Sequence, residues 1–319
     1  EAERLITHEK VKALFGCWTS ACRKAVKPVV EARHHLLFYP LQYEGMELSP
    51  NIIYTGAAPN QQIIPAVYWA LEHLGKRVYL VGSDYVFPRT ANIIIKDLLA
   101  VHGATLLGER YLPLGATNAD DVVADIVKQH PDVVLNTING DSNVAFFRAL
   151  NKAGLTAEKT AVLSFSIGEV ELAAGEAPGM AGHYAAWNYF QSIASPENRL
   201  FVERFRRRFG ANAVIDDPME ASYIALKLWV QAAREAGSAD TAPVQHTILD
   251  QTMSSPEGVV AVDPATRHLW KMVRIGKARR DGQFDILWES GRAIEPDPFP
   301  SYRTHAEWVQ LLHDAGLKP

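Results

Sequence analysis

The chain has 319 residues, 48% hydrophobic and 21% charged, with a formal charge of -4 at pH 7. That composition supplies enough apolar material for one large or two medium domains and excludes a disordered or fibrous chain. A pI near 6.3 leaves no general basic field, so nucleic acid is not an expected partner.

The opening, EAERLITHEK, reads as the second half of an amphipathic helix feeding the strand KVKALFG. A parallel sheet rarely begins this way, because its first strand normally lies at the centre, and a segment upstream is expected. Cys17 and Cys22 cannot staple a chain of this size and fit no zinc-ligand set, so they are expected as small buried residues. A disulfide between them needs an oxidising compartment, and the strand-loop-helix context disfavours its geometry. The strands HLLFYPL, NIIYTG, RVYLVGS, ATLLGERYL, DVVLNTI and TAVLSFS then alternate with helical periodicity over 22–33, 60–74, 88–102, 119–129, 141–153 and 168–174. This is the doubly wound α/β pattern, in which ligands sit at the carboxyl ends of parallel strands.

From about Pro196 the helices lengthen: PENRLFVERFRRRFG, DPMEASYIALKLWVQAAREAG and TAPVQHTILDQ. Arg204, Arg206, Arg207 and Arg208 lie on the solvated face of the first. Antiparallel strands are expected in GVVAVDPATRHLWKMVRIGKARRDGQFDILWES, with RRDG as a hairpin turn, before a Pro-rich tail and a short last helix. No run of about 18 apolar residues and no signal peptide is visible.

The nucleophile elbow, phosphate loop, dinucleotide fingerprint and zincin motif are all missing from the sequence, so no enzyme is expected. Its histidines are scattered, and neither metal nor cofactor is expected. What stands out is a series of polar and aromatic residues at strand ends. Trp18, Thr19 and Ser20 sit where the chain turns into a helix; the hydroxyls and free N–H groups there suit a carbonyl or anion, and the alternative is a plain N-cap with Trp18 in the core. Gln42 and Tyr43, ahead of Glu44, follow the next strand. Tyr85 and Phe87 are two apart, so in an extended turn they point the same way and could form one wall; the alternative is packing under the loop. Ser166 ends a strand and Trp187 follows in GHYAAWNYF. Glu220 opens a helix, where its charge also simply favours the dipole.

Together FGCWTSACRKAVKPV, LLFYPLQYEGMELSPNIIYTGAAPNQQIIPA, GSDYVFPRTAN, NTINGDSNVAFF, GHYAAWNYFQS and DDPMEASY resemble the substrate-binding proteins of urea and short-chain amide ABC transporters, relatives of the amide-sensing regulators. The resemblance covers nearly the whole chain. It implies a type I periplasmic-binding fold, two Rossmann-like lobes on a three-segment hinge, here lacking the first strand-helix-strand of lobe 1. Lobe 1 would comprise 1–58 and 193–254, lobe 2 would comprise 59–192 and 255–290, and 291–319 would be a tail. Cys22 stands where that pattern has a small hydroxyl residue.

The same resemblance implies capture of urea or a short-chain amide, permease subunits as partners and a periplasmic or extracellular place, with a lipoprotein anchor allowed. A cytoplasmic amide sensor is the alternative, and an amidase-type enzyme a more distant one. Urea is planar and neutral, with one carbonyl acceptor and four N–H donors. Thr19 and Ser20 would take its carbonyl, Glu220 and backbone carbonyls its amide hydrogens, and Trp18, Tyr85 and Phe87 its two faces, with Gln42, Tyr43, Ser166 and Trp187 completing the pocket.

Overall fold

The structure is a computed structural model and describes residues 1–317, except the side chains of residues 175–177. After helix α1 (Ala2–Thr7), the parallel strands β1 (Leu14–Phe15), β2 (Leu37–Tyr39) and β3 (Ile52–Tyr54) form one sheet in that order, with α2 (Ser20–Ala32) crossing from β1 to β2. The strands are shorter than their apolar runs. Pro40 and Pro50 interrupt the ladder between them, and Gly45 turns the chain at φ +73°, where an added Cβ would lie 2.2 Å from the Pro298 carbonyl oxygen.

The second lobe is a parallel sheet of β4 (Arg77–Ser83), β5 (Thr105–Leu112), β6 (Val133–Thr137), β7 (Ala161–Ser164) and β8 (Tyr184–Trp187), in the order β8-β7-β6-β4-β5. Alternation along each strand feeds both faces. Val78, Leu80, Val133 and Leu135 pack under α3 (Ile63–His73) and α4 (Val86–Val101). Tyr79, Val81 and Val134 pack under α5 (Asp120–Gln129) and α6 (Ser142–Lys152). Burial on both sides is why these strands read as unbroken apolar runs. A helical segment, α7 (Glu169–Glu171), a wider π turn over Leu172–Glu176 and α8 (Ala177–Met180), leads to β8.

The chain then returns to the first lobe through α9 (Pro196–Phe209), α10 (Asp217–Glu235) and α11 (Thr241–Thr247). Next come the antiparallel strands β9 (Thr252–Ser255), β10 (Gly258–Val262) and β11 (Leu269–Trp270). Val260, Val262 and Leu269 share one apolar cluster with Leu36, Phe38, Ile53, Ile224 and Leu228. The lobe division expected at 254/255 therefore falls inside a paired hairpin packed on the first lobe. Past it, β12 (Arg274–Ala278) pairs antiparallel with β8 and with β13 (Phe284–Glu289), extending the second sheet to seven strands; the hairpin turns at Gly282, φ +80°.

The expected tail is fastened to the body. Met46 N–H donates to Pro298 O, Arg303 pairs with Asp97 at 2.7 Å, and α12 (His305–Asp314) buries Trp308 in the α3/α4 cluster. Residues 318 and 319 of that tail lie outside the described residues.

Candidate ligand-binding cleft

Helix α2 starts at Ser20, two residues earlier than its periodicity indicates, and this decides what the Trp18–Ser20 turn does. Thr19 is the N-cap, its Oγ1 accepting from Cys22 N–H at 3.1 Å, as its plainer reading had it. Trp18 is 55% exposed and is not part of the core. Cys17 and Cys22 are half-buried and joined by a disulfide across that turn, which corrects the expectation of two free buried thiols. A Cα separation of 5.4 Å allows the bond, because Cys17 takes a left-handed conformation at φ +69° that folds the turn back on α2.

Ser20 is buried, and one turn along the same helix face stands Arg23, fully buried. Arg23 Nη1 donates to Ser20 Oγ at 3.0 Å, Nη2 to Glu44 Oε1 at 3.0 Å, and Nε to Glu47 Oε1 at 2.9 Å. Ser20 Oγ donates onward to Glu44 Oε2 at 2.5 Å, and Lys24 Nζ stands 3.6 Å from Glu47. The guanidinium lies over the rings of Tyr39 and Tyr43, 4.8 and 4.5 Å from their centroids. Burial works against its charge, but Glu44, Tyr39 and Glu47 outweigh that and hold it well above the ordinary arginine value.

Tyr43, expected in the pocket, instead stacks between Arg23 and the rings of Tyr54 and His268, with its hydroxyl 2.6 Å from His268 Nε2. It belongs to the buried stack behind Arg23. Arg23 and Glu47 escaped the sequence reading; the signals available were an arginine three residues after Ser20 and two glutamates three apart in YEGMEL.

Gln42 reaches the other lobe, donating from Nε2 to Phe165 O and Ser166 Oγ, both at 3.1 Å. Tyr85 caps α4 from lobe 2 and its hydroxyl accepts from Asn139 Nδ2 at 2.7 Å. Burial raises its phenol pKa most, Tyr39 and Glu44 add to the rise and Arg23 opposes it. Phe87 does not join it. Because α4 begins at Val86 rather than Pro88, Phe87 is already helical and turns into the lobe 2 core, 2% exposed. Trp187 is buried too; its Nε1–H donates to Ile167 O at 2.6 Å and fixes the loop that carries Ser166.

Glu220 lies in the first turn of α10, fully buried, among charges at the crossings between the lobes. Its Oε1 accepts from Glu257 N–H at 3.2 Å, and Lys271, itself fully buried, stands 3.3 Å from Glu257 and donates to Thr55 O. Asp217 accepts from the N–H groups of Asn188 and Tyr189 at 3.0 and 2.9 Å. Asn188 Nδ2 bonds both Gln61 O and Met272 O, so one amide ties all three crossing segments together. Burial, with Glu257 next in size, pushes the Glu220 carboxyl well above the carboxylate range. Burial likewise pushes Glu257 and Glu171 up to about 7 and Asp216 to about 6. Gln42 Oε1, Asp217 Oδ1, Asn188 Oδ1 and Glu220 Oε2 are buried acceptors without a protein partner. Among the described residues no group of three His, Cys, Asp or Glu side chains is placed to hold a metal.

Two α/β lobes meeting at strand ends, bridged by side chains and tied at their crossings, define a periplasmic-type solute-binding protein. The chain belongs to the periplasmic binding protein family, whose domain, described as "Periplasmic binding protein domain", matches residues 1–305. It is 23% identical over 294 residues to the Leu/Ile/Val-binding protein homolog 6 of Brucella melitensis, covering 89% of this chain and 74% of that protein. A solute binding protein of an ABC transporter from Rhodopseudomonas palustris, solved with p-hydroxybenzoic acid, superposes with a TM-score of 0.84 at 22% identity over 95% of this chain and 84% of that one. The leucine binding protein of Thermotoga maritima gives 0.77 at 20% identity over 90% and 82%. Limonene hydroxylase of Geobacillus stearothermophilus shares 37% identity over 118 residues, which are 37% of this chain and 22% of that protein. The two-lobe α/β fold of periplasmic binding proteins follows, and the family implies a periplasmic or extracellular place.

Proposed function

We propose that this chain captures urea or a short-chain amide between its lobes and delivers it to the permease subunits of an ABC transporter. The support is the charge balance where the lobes meet. Arg23, a cation buried there, already holds Glu44 and Glu47, and Lys271, buried at the crossings, already faces Glu257. A carboxylate ligand would be desolvated without a free cation to receive it, a penalty of several kcal/mol. A neutral amide avoids that penalty. Its carbonyl suits the Ser20 and Ala21 N–H groups, which open α2 and have no intrahelical acceptor. Its amide hydrogens suit the unpartnered acceptors Gln42 Oε1 and Glu220 Oε2. Trp18, Tyr85 and Ser166 are the remaining members of this pocket, while Thr19, Tyr43, Phe87 and Trp187 support it from behind.

Closure brings Tyr85 and Ser166 of lobe 2 onto Ser20 and Gln42 of lobe 1, on a hinge of the three segments joined by Asn188. Urea has four heavy atoms, and about 1.5 kcal/mol per atom sets a ceiling near 6 kcal/mol, a Kd of roughly tens of micromolar. Calorimetry with urea, acetamide, 4-hydroxybenzoate and leucine tests the reading, and small-angle scattering should show a smaller radius with ligand. Binding of leucine or hydroxybenzoate without binding of urea or acetamide would overturn it.

A further inference from the structure

We propose that Glu44 sets the charge selectivity of the cleft: by cancelling Arg23 beside Ser20 it bars carboxylates, the acid analogues of the amides, from the site. This rests on the amide reading above. Glu44 is 1% exposed and both its oxygens are engaged, one by Arg23 at 3.0 Å and the other by Ser20 at 2.5 Å. It stands two residues beyond Gln42, which crosses to Phe165 and Ser166, so it borders the lobe contact.

Arg23 and Lys24 face Glu44 and Glu47, and the four charges sum to zero. Glu44→Gln removes one negative charge and leaves one cation uncancelled at the start of α2, with Arg23 Nη2 facing a neutral amide oxygen in place of a carboxylate. A carboxylate ligand repairs this defect, offering a negative charge and two oxygens to a planar guanidinium. An amide offers one neutral oxygen and gains much less. Selectivity then comes from withholding a favourable partner from the wrong ligand as much as from fitting the right one.

Acetamide and acetate have nearly the same size and differ in charge, so they are the probes. The parent protein is expected to bind acetamide and reject acetate in calorimetry. Glu44→Gln is expected to raise acetate affinity at least tenfold while acetamide changes by less, with circular dichroism and melting confirming the fold. Because that variant buries Arg23 with its charge only partly balanced, Arg23→Met combined with Glu44→Gln serves beside it; this neutral pair should reject acetate as the parent does. The proposal is overturned if folded Glu44→Gln keeps the parent's ratio of acetate to acetamide affinity, if the parent accepts acetate as readily as acetamide, or if the neutral pair binds acetate. A parent that binds neither urea nor acetamide removes the amide reading instead. In that case a gain of acetate binding in Glu44→Gln still supports the role of Glu44, and no gain overturns it.

Discussion

Replacing Arg23 by methionine removes a fully buried cation that donates to Ser20, Glu44 and Glu47 and lies over the rings of Tyr39 and Tyr43. Methionine fills much of the same volume, so packing loss is minor and the electrostatic consequence dominates. Glu44 keeps only Ser20, while Glu47 keeps the Tyr54 hydroxyl at 2.8 Å and Lys24 at 3.6 Å. Breaking a buried pair strands the remaining charge, at about 3–5 kcal/mol. Urea unfolding at pH 7 should register a loss of that size. Burial works to raise the Glu47 pKa, and Arg23, ahead of Lys24 and Tyr54, outweighs it and holds the carboxyl below its usual value. Without Arg23 the carboxyl takes up a proton more readily, so the deficit should shrink toward pH 5. Adding Glu44→Gln to Arg23→Met should recover at least half of it, since two stranded groups become one. A loss under about 1 kcal/mol for Arg23→Met, or no recovery in the double variant, would show that the cluster is solvated and not the buried network described.

Glu220→Gln imitates the protonated carboxyl that burial and Glu257 favour, so stability at pH 7 should change by less than about 1 kcal/mol. Urea needs Oε2 as an acceptor and so selects the ionised carboxyl, so urea affinity should rise with pH in the parent and fall several-fold in the variant; unchanged affinity in calorimetry would leave Glu220 as part of the hinge alone. Stability should decline from pH 6.5 to 8. Glu171 and Glu257 have folded pKa values raised to about 7 from 4.5, so the stability they contribute is complete below about 4.5 and is lost as pH rises through 7. Below pH 6.5 His183 and His268, lowered by burial to about 4 and about 3, act oppositely and flatten the profile; a rise in unfolding free energy between pH 6.5 and 8 would contradict this assignment. Changing Cys17 and Cys22 to serine should cost about 2 kcal/mol in thermal unfolding and weaken ligand binding, because the disulfide closes the turn that places Ser20; an unaltered melt and affinity would show that the α2 cap holds the turn unaided.

The alternation of apolar strands with helices was legible, because strands buried on both faces must be apolar along their whole length and Val78 to Val81 announce this directly. That strands end in polar residues was legible as well, and the structure joins two of them, Gln42 and Ser166, across the lobes. Helix starts were less legible. A shift of two residues put Phe87 in the core and turned Ser20 from a loop donor into the first residue of α2, because capping depends on backbone geometry that propensity constrains weakly.

By itself the sequence determined which segments become strands and helices, and therefore the α/β class and the strand ends from which a site is built. Only the tertiary structure decided the partners. Arg23 lies 21 and 24 residues from the glutamates that neutralise it, and Asn188 joins segments 127 and 84 residues away. Likewise β10 packs on the first lobe because Val260 and Val262 find Phe38 and Ile53 there, a choice that the alternation of β10 leaves open. Local pattern fixes the face a residue shows. What that face meets depends on long-range packing, where burial forces each charge to find its counterpart or to give up its ionisation.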